Sequence, residues 1–336
     1  RKAGFGIEYQ GPMLAKAMAN HFSVNEEQLA HAMALTDVFE VTSILEREGV
    51  AGLKTIRMQP LVPIRPALAS GTTADIDRYP VWVERKYDGI RFMLHKSTDS
   101  RGSMLCGAYT RGRRDWLELV PGLDASIKML PCQSAIVDGE LYGTVATYEG
   151  PRPATVYEVY AFLQGERAQP VNLKFAAFDL IYLNGGDLTQ MPLNKRQELL
   201  KGQVGPLTNM PLPVPMVIAE GQMANSSADV NKLYAHFRNQ GYEGVIAKSP
   251  TGLYLLATRD PTWLKRKPLV TLDLVLLGGV LAVSEVKTGR IASYVIGART
   301  PDGDFKDVGD FEGDDIARES EIQQEIMSEG LMTGRR

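Results

Sequence analysis

A lysine and a carboxylate lie two positions apart at the end of a predicted strand. Residues 84–91 read Glu-Arg-Lys-Tyr-Asp-Gly-Ile-Arg and follow the apolar residues 81–83. Because side chains alternate between the faces of a strand, we expect Glu84 and Lys86 to project to the same side. The Asp-Gly pair at 88–89 indicates a turn into a returning strand. Such a lysine is either a nucleophile held beside a carboxylate or an ordinary solvated residue of a hairpin, and this stretch alone leaves both interpretations open.

Four more charged motifs lie at the ends of predicted strands farther along the chain. They read Asp-Gly-Glu at 138–140, Phe-Asp-Leu-Ile-Tyr-Leu-Asn-Gly at 178–185, Glu-Gly-Val-Ile-Ala-Lys at 243–248 and Trp-Leu-Lys-Arg-Lys at 263–267. In the last motif, alternation places two lysines on one face, where like charges repel unless an anion is present. Solvated surface charge remains the alternative for any single motif. The sequence has no Gly-x-x-x-x-Gly-Lys-Ser/Thr and no Gly-x-Gly-x-x-Gly after a strand, which argues against a P-loop and a Rossmann site.

The composition is typical of a globular protein. The chain has 336 residues, a formal net charge of -3, 44% hydrophobic and 23% charged residues, so we expect a soluble protein with two or three domains. We find no signal-peptide pattern and no apolar run long enough to span a bilayer. Two cysteines, Cys106 and Cys132, are too few for a zinc motif or a disulfide framework, which favours the cytoplasm, or the nucleus in a eukaryote. The net charge neither requires nor excludes nucleic-acid binding.

Three regions of the chain differ in their periodicity. Residues 10–52 have helical spacing with a capping box at 23–26, and three prolines within 60–66 predict an extended connection and a domain boundary near residue 60. After residue 270, strands are predicted at 272–277 and 289–299, before a polar helix at 316–328. Between about 80 and 268, many strands and few helices favour antiparallel sheets. The strands predicted there are 81–85, 92–96, 105–110, 135–141, 171–183, 217–219, 244–247 and 263–267, and the helices are 192–200 and 228–239.

The order and spacing of the five motifs resemble the nucleotidyltransferase motifs of ATP-dependent DNA ligases of the archaeal and eukaryotic type. The resemblance covers roughly residues 80–268, and Pro-Ile-Arg-Pro-Ala-Leu-Ala at 63–69 is similar to the link from their helical DNA-binding domain. It implies an α+β fold built on an antiparallel-sheet nucleotidyltransferase (adenylation) domain at 61–269. An N-terminal helical segment at 1–60 would be the C-terminal part of the DNA-binding domain, and 270–336 would be a partial OB-fold domain.

The resemblance implies that Lys86 is the catalytic nucleophile, which takes AMP from ATP as a phosphoramidate. Glu84 would contact the adenine, Phe178 would stack on it, and Arg91 and Glu140 would bind around the ribose. A lysine attacks only when it is neutral, although its free pKa is about 10.4. Neighbouring cations and a metal ion would lower that pKa and would also neutralise charge on the α-phosphate.

A second group of side chains would hold the phosphates and a metal ion. Arg111 matches an arginine of the next family motif, although Gly112 stands where the family usually has Asn. Arg259, Lys265 and Lys267 would bind phosphates. Mg²⁺, or Mn²⁺ in its place, prefers carboxylate and phosphate oxygens and keeps several waters. The metal ligands that the resemblance implies are the carboxylates of Glu140 and Glu243.

An ATP-dependent DNA ligase is the activity that the resemblance implies. It would seal nicks in double-stranded DNA, in replication, repair or recombination, through a lysyl-AMP intermediate and an adenylated 5′-phosphate. We expect a monomer that binds nicked DNA and no membrane, with a sliding clamp as a further partner of a full-length parent. The family's last motif, a basic cluster late in the OB-fold, does not occur before Arg336, so we expect a fragment that charges itself weakly with AMP. An RNA ligase or capping-type nucleotidyltransferase and a truncated nick-binding fragment remain as alternatives.

Overall fold

The computed structural model describes residues 11–166, 169–268, 274–281, 291–300 and 302–312. The chain divides into two compact units, Arg1–Pro268 and Leu269–Arg336. Within the described ranges, no helix combines the length and the apolar character that a membrane crossing requires. The polar helix predicted at 316–328 lies outside the described residues.

Three helices near the start of the first unit share a small core. They are α1 (Gly11–Phe22), α2 (Glu26–Leu35) and α3 (Val38–Gly52). Asn25 caps α2, because its side-chain oxygen accepts hydrogen bonds from the backbone amides of Glu27 and Gln28 at 2.9 and 3.2 Å. The predicted capping box led by Ser23 is wrong, because Ser23 lies two residues before the cap, with φ of 53° in the turn after α1.

Two mostly antiparallel sheets, a short two-stranded pair and four more helices follow in the described part of the first unit. Its further helices are α4 (Leu123–Lys128), α5 (Val156–Leu163), α6 (Leu193–Val204) and α7 (Ser227–Asn239). Its strands are β1 (Leu68–Ala69), β2 (Val81–Lys86), β3 (Ile90–Thr98), β4 (Met104–Thr110), β5 (Ala135–Thr147), β6 (Gly150–Pro153), β7 (Val171–Leu183), β8 (Gly186–Asp187), β9 (Met216–Ile218), β10 (Gly221–Ala224), β11 (Gly244–Lys248), β12 (Arg259–Asp260) and β13 (Trp263–Arg266).

The larger sheet has the strand order β4-β3-β5-β7-β8, with β6 beside β5 and β9 beside β7. The smaller sheet has the order β10-β2-β11-β13. All of these pairings are antiparallel except that of β9 with β7, and the short pair β1–β12 is also parallel. The predicted α+β fold with antiparallel sheets is confirmed.

The middle of strand β3 is buried on both faces, which explains why residues 92–94 are a continuous apolar run rather than an alternating one. Phe92 and Leu94 belong to one core, which the helices α4, α5 and α6 complete. Met93 points the other way, into a second core that also contains Phe178 and Trp263. One face of the larger sheet therefore packs on the first core. Its other face packs on the second core, which includes residues of the charged motifs.

The second unit contains a three-stranded antiparallel sheet among its described residues. Its strands are β14 (Val275–Leu281), β15 (Ile291–Arg299) and β16 (Phe305–Glu312), in the order β14-β15-β16. The strands predicted at 272–277 and 289–299 overlap the first two of these. The assignment of 270–336 to a partial OB-fold stays a prediction.

Candidate active site

A cleft of about 330 Å³ is lined by residues of both sheets of the first unit. Two of the predicted site residues do not line it. Glu243 instead contacts Lys86, and Lys267 is exposed just beyond the end of β13. The cleft brings together the other predicted site residues, namely Glu84, Lys86, Arg91, Arg111, Glu140, Phe178, Arg259 and Lys265.

Lys86 is the last residue of β2, a central strand of the smaller sheet. It lies opposite Gly244 of β11, and its Nζ forms an ion pair with Glu243, which precedes that strand. The guanidinium of Arg85 lies 3.9 Å from the ring centroid of Tyr242 and makes a cation–π contact there. The Arg85 side chain therefore contacts Tyr242, and Lys86 pairs with the carboxylate of Glu243.

The turn after Lys86 is shaped by the two residues of its Asp-Gly pair. A Cβ atom on Gly89 would lie 2.2 Å from the carbonyl oxygen of Leu141, so only glycine lets the chain pass this close to β5. Burial raises the pKa of Asp88, and a hydrogen bond from the backbone amide of Val156 at the start of α5 opposes that rise. The close approach of Gly89 to β5 and the hydrogen bond between Asp88 and α5 fix the turn and, with it, the end of β2.

Glu84 and Lys248 form a buried ion pair at one side of the cleft. Burial raises the pKa of Glu84, and the neighbouring Lys248 ammonium opposes that rise. The ammonium also lies 4.0 Å from the ring centroid of Trp263 and 4.5 Å from that of Phe178. No site role is predicted for Lys248 from the sequence. Its place as the last residue of the Glu-Gly-Val-Ile-Ala-Lys motif at 243–248 is a signal that could have identified it.

Arg91 is held by two buried groups that the sequence does not identify, Asp138 and Tyr254. Its Nε and Nη2 donate to the two carboxylate oxygens of Asp138 at 2.9 and 2.5 Å. The Tyr254 hydroxyl donates to the same carboxylate at 2.6 Å and accepts a hydrogen bond from the backbone amide of Ala67 at 3.3 Å. Asp138 is the first residue of the Asp-Gly-Glu motif, so the sequence contains a signal that could have identified it. Tyr254 lies in none of the five motifs.

Glu140 lies opposite Arg91 in the pairing of β3 with β5. Burial raises the pKa of Glu140 to about 8, although the nearby cations Arg91 and Lys86 oppose the rise. The carboxylates of Asp138 and Glu243 add to it as like charges. Burial therefore disfavours the charged form of the Glu140 carboxyl group, and a further cation beside it would favour that form.

The ring of Phe178 is held in place by helix α6. Gln197 donates from Nε2 to the backbone oxygen of Phe178 at 2.6 Å. The next residue, Asp179, makes a bidentate pair with Arg196 at 2.7 and 2.9 Å, and both side chains are fully buried. The ring is thus a rigid apolar platform on one wall of the cleft.

Three more basic side chains, besides the carboxylate-paired Arg85, Lys86, Arg91 and Lys248, reach the cleft from three different elements. Arg111 lies in the turn after β4, Arg259 lies in β12, and Lys265 lies in β13. The backbone amide of Lys265 donates to the carbonyl oxygen of Gly71 at 3.1 Å, which ties β13 to the segment after β1. Such a convergence of like charges favours the binding of an anion with several oxygens, such as a phosphate chain.

Two carboxylates near the cleft are suitable donors for a divalent cation. In the described part of the chain, no three His, Cys, Asp or Glu side chains form a group that could enclose a metal ion. Glu140 and Glu243 both interact with Lys86 and repel each other. Mg²⁺ is commonly bound by one or two carboxylates together with substrate phosphates and waters. The donor set therefore fits Mg²⁺ that binds with a nucleotide.

Comparison with known proteins identifies the family. The family model of the ATP dependent DNA ligase domain matches residues 66–267. A probable DNA ligase of Rhodococcus opacus (strain B4) is 31% identical over 297 residues, which are 87% of this chain and 55% of that protein. DNA ligase 2 of Methanosarcina acetivorans is 29% identical over 331 residues, which are 95% of this chain and 56% of that protein. The chain thus spans little more than half the length of these relatives.

A solved structure named Pmar-Lig_PreS3 has a similar fold. Its TM-score is 0.55 over 83% of this chain and 64% of that chain, at 17% sequence identity. The range matched by the family model includes all five charged motifs and every residue that lines the cleft. The resemblance seen in the order of the motifs is therefore confirmed, and the chain belongs to the family of ATP-dependent DNA ligase domains.

Proposed function

We propose that this chain is the adenylation core of a DNA ligase, which transfers AMP from ATP to Lys86 and then to the 5′-phosphate at a nick in double-stranded DNA. The proposal rests above all on one observation: a lysine at a strand end, an aromatic platform and the basic side chains of Arg111, Arg259 and Lys265 share one cleft. Membership of the family supports the same reaction.

The first step is the attack of the neutral Lys86 amine on the α-phosphorus of ATP. A nitrogen–phosphorus bond forms, the bond between the α-phosphorus and the oxygen that bridges to the β-phosphorus breaks, and pyrophosphate leaves. The proton that the nitrogen loses passes to water, while Glu243, the ion-pair partner of Lys86, holds the nitrogen in place. Arg259 and Lys265 offset the negative charge that develops on the phosphates.

The adenine base and the ribose of ATP would contact different residues of the cleft. The Phe178 ring offers a face for adenine, and the Glu84 carboxylate can accept a hydrogen bond from its exocyclic amino group. Arg91 and Glu140 lie around the ribose. Because Asp138 already binds two nitrogens of the Arg91 guanidinium, that side chain needs little ordering when the nucleotide enters.

We assign Mg²⁺ or Mn²⁺ to Glu140 and Glu243, together with phosphates of the bound nucleotide. When bound, the ion supplies Lewis acidity at the phosphate. A bound metal ion would oppose the rise in pKa that burial causes at Glu140, because it favours the charged carboxylate. Glu243 must share its charge with a second cation besides Lys86.

Substitution of Lys86 tests the nucleophile directly. Lys86→Ala is expected to abolish the covalent protein–AMP adduct formed from ATP labelled at the α-phosphorus, because no other amine occupies that position. Lys86→Arg keeps the positive charge and should also form no adduct, since a guanidinium does not lose its proton in proteins. Lys195→Ala, on the exposed side of α6, is the matched control and should label normally. Normal labelling of Lys86→Ala would overturn the assignment.

An RNA ligase or capping-type enzyme would share the lysyl-nucleotide step. The matched family and both named relatives are DNA ligases, which favours DNA over RNA as the substrate. We propose nicked double-stranded DNA as the macromolecular partner of a monomer, and a sliding clamp as a partner of a longer parent protein. The cytoplasm, or the nucleus in a eukaryote, is the proposed compartment.

A further inference from the structure

The turn at 110–114 carries three arginines, and the side chains of Arg111 and Arg113 leave it in different directions. Two backbone hydrogen bonds close the turn, from the Thr110 amide to the Arg114 oxygen at 2.9 Å and from the Arg113 amide to the Thr110 oxygen at 2.8 Å. Arg113 has φ of 62°, a left-handed conformation that is costly for a residue with a side chain. Such a conformation persists only where the surroundings hold it, so the turn has an external anchor.

The anchor of the turn is the end of helix α2. Nη1 of Arg113 donates to the carbonyl oxygen of Thr36 at 2.7 Å and to that of Met33 at 3.4 Å. The last carbonyl groups of a helix lack partners within the helix, and the helix dipole favours a cation at this end. A second contact is close by, from the Arg65 amide to the Ala34 oxygen at 2.9 Å. The partly buried Arg113 side chain therefore joins the turn to the N-terminal helices.

Arg111, two residues before Arg113, lines the cleft and is otherwise exposed. Within the described residues, its side chain makes no hydrogen bond or ion pair. The backbone of the turn is then what orients this side chain toward the cleft. Arg114 also has an exposed side chain without such contacts in the described chain, but it does not line the cleft.

We infer that Arg113 is a positioning residue: by binding the C-terminal end of α2, it holds the turn so that Arg111 meets the nucleotide in the cleft. This inference rests on the proposed function and adds that the N-terminal helices contribute to nucleotide affinity. An arginine on an unanchored turn must be ordered when the nucleotide binds, which weakens binding. A turn anchored in advance avoids that loss.

Binding of α,β-methylene ATP to the full chain tests the inference, because this analogue cannot be cleaved at the α–β bridge. Arg113→Ala is expected to raise the dissociation constant of the analogue about tenfold, through lost preorganisation. Arg114→Ala removes a neighbouring positive charge from the same turn and is expected to change it less than about twofold. Arg113→Lys keeps a donor for the helix carbonyls and should recover part of the affinity.

A double substitution separates positioning from a general loss of stability. If Arg113 acts through Arg111, then adding Arg113→Ala to Arg111→Ala causes no further loss of affinity. A merely structural role would weaken binding equally in both backgrounds. Equal affinities of Arg113→Ala and Arg114→Ala, or additive losses in the double variant, would overturn the inference. Thermal unfolding of each variant checks that the protein is folded at the assay temperature.

Failure of the proposed function has a different signature. If the unsubstituted chain binds the analogue but forms no lysyl-AMP adduct with ATP, the proposed function fails and the comparison at Arg113 still stands. If the unsubstituted chain does not bind the analogue, both are overturned, because Arg111 then has no nucleotide to meet.

Discussion

At the scale of single residues, Glu140 links the chemistry of the cleft to the stability of the protein. Burial raises its pKa from a usual 4.5 to about 8. Between these two pH values the folded chain binds more protons at this group than the unfolded chain does. The stability that this group contributes is therefore complete below pH 4.5 and is lost as the pH rises through about 8.

We predict that Glu140→Gln raises the free energy of unfolding at high pH while it removes activity. At about pH 8.5 the gain should be on the order of 1 kcal/mol, because glutamine carries no buried charge, and it should shrink toward about pH 5. Adduct formation should fall about 100-fold, since the proposed metal ligand is lost. Urea unfolding at both pH values and a labelling assay measure the two effects. Glu198→Gln, exposed on α6, is the control, and equal stability of wild type and Glu140→Gln at high pH would contradict the prediction.

Motifs along the chain reveal residues that act locally and miss those that act through distant partners. The shared side of Glu84 and Lys86 follows from strand alternation alone, whereas the roles predicted for them come from the resemblance to DNA ligases. Lys248 lies in one of the five motifs, yet its role depends on an ion pair with Glu84 across two strands. Tyr254 lies in a loop without any pattern, and its hydroxyl is significant only because the fold brings it to Asp138. Such contacts depend on tertiary structure, which local patterns do not contain.

At the scale of elements, the connection between the N-terminal helices and the sheets depends on a buried histidine of β3. The Leu61 amide donates to Nδ1 of His95 at 2.9 Å, and the Tyr109 hydroxyl donates to the Leu61 oxygen at 3.0 Å. Burial lowers the pKa of His95 from 6.5 to about 3. The ring must be neutral at Nδ1 to accept this bond, so protonation would release the connection.

We predict that His95 makes the protein less stable in acid. Between pH 3 and 6.5 the unfolded chain binds more protons at His95 than the folded chain does. The stability that neutral His95 contributes is therefore present above pH 6.5 and is lost as the pH falls toward 3. His95→Gln keeps an acceptor for the Leu61 amide and does not titrate. Its free energy of unfolding should therefore fall less steeply with acid, by up to about 1.4 kcal/mol per pH unit.

Guanidinium unfolding at several pH values below neutrality measures the effect of His95→Gln. His31→Gln, at an exposed position of α2, is the matched control and should follow the wild-type profile. Parallel profiles for His95→Gln and the wild type would contradict the prediction.

Elements with clear periodicity are predictable, and those created by packing are not. Helices α6 and α7 and the long strands of the larger sheet are found close to their predicted positions. Helix α5 is missed because its sequence, Val-Tyr-Glu-Val-Tyr-Ala-Phe-Leu, is rich in residues typical of strands. Its capping box, Thr155 with Glu158, is the local signal that could have identified it. Strand β10 has no strand pattern and exists through its pairing with β2.

At the scale of the whole molecule, the chain should complete the last step of nick sealing when the AMP is already on the DNA. We predict that the full chain with Mg²⁺ joins a nick whose 5′-phosphate carries AMP, and joins it faster in DNA than in an RNA duplex of the same sequence. This step needs no AMP on Lys86, so it does not depend on self-charging. A gel that resolves the joined strand measures the rate, and the same nick without AMP or ATP is the control.

Two outcomes of the sealing experiment would contradict the prediction. Faster joining of the RNA duplex would favour the RNA ligase alternative. The absence of joining in both duplexes, with folded protein, would favour a fragment that binds nicks without sealing them.

The parallel pair β1–β12 joins parts of the first unit that are far apart in the sequence. The same closure brings the Ala67 amide to the Tyr254 hydroxyl, 187 residues later, and it places Arg259 at the cleft. During synthesis the N-terminal part of a chain emerges first, and contacts of long sequence separation form late. A ribosome-bound chain that ends before β12 therefore already has Lys86 but lacks Arg259 and Lys265. If the proposed roles of Arg259 and Lys265 hold, the direction of translation would delay the reaction with ATP until almost the whole first unit has been made.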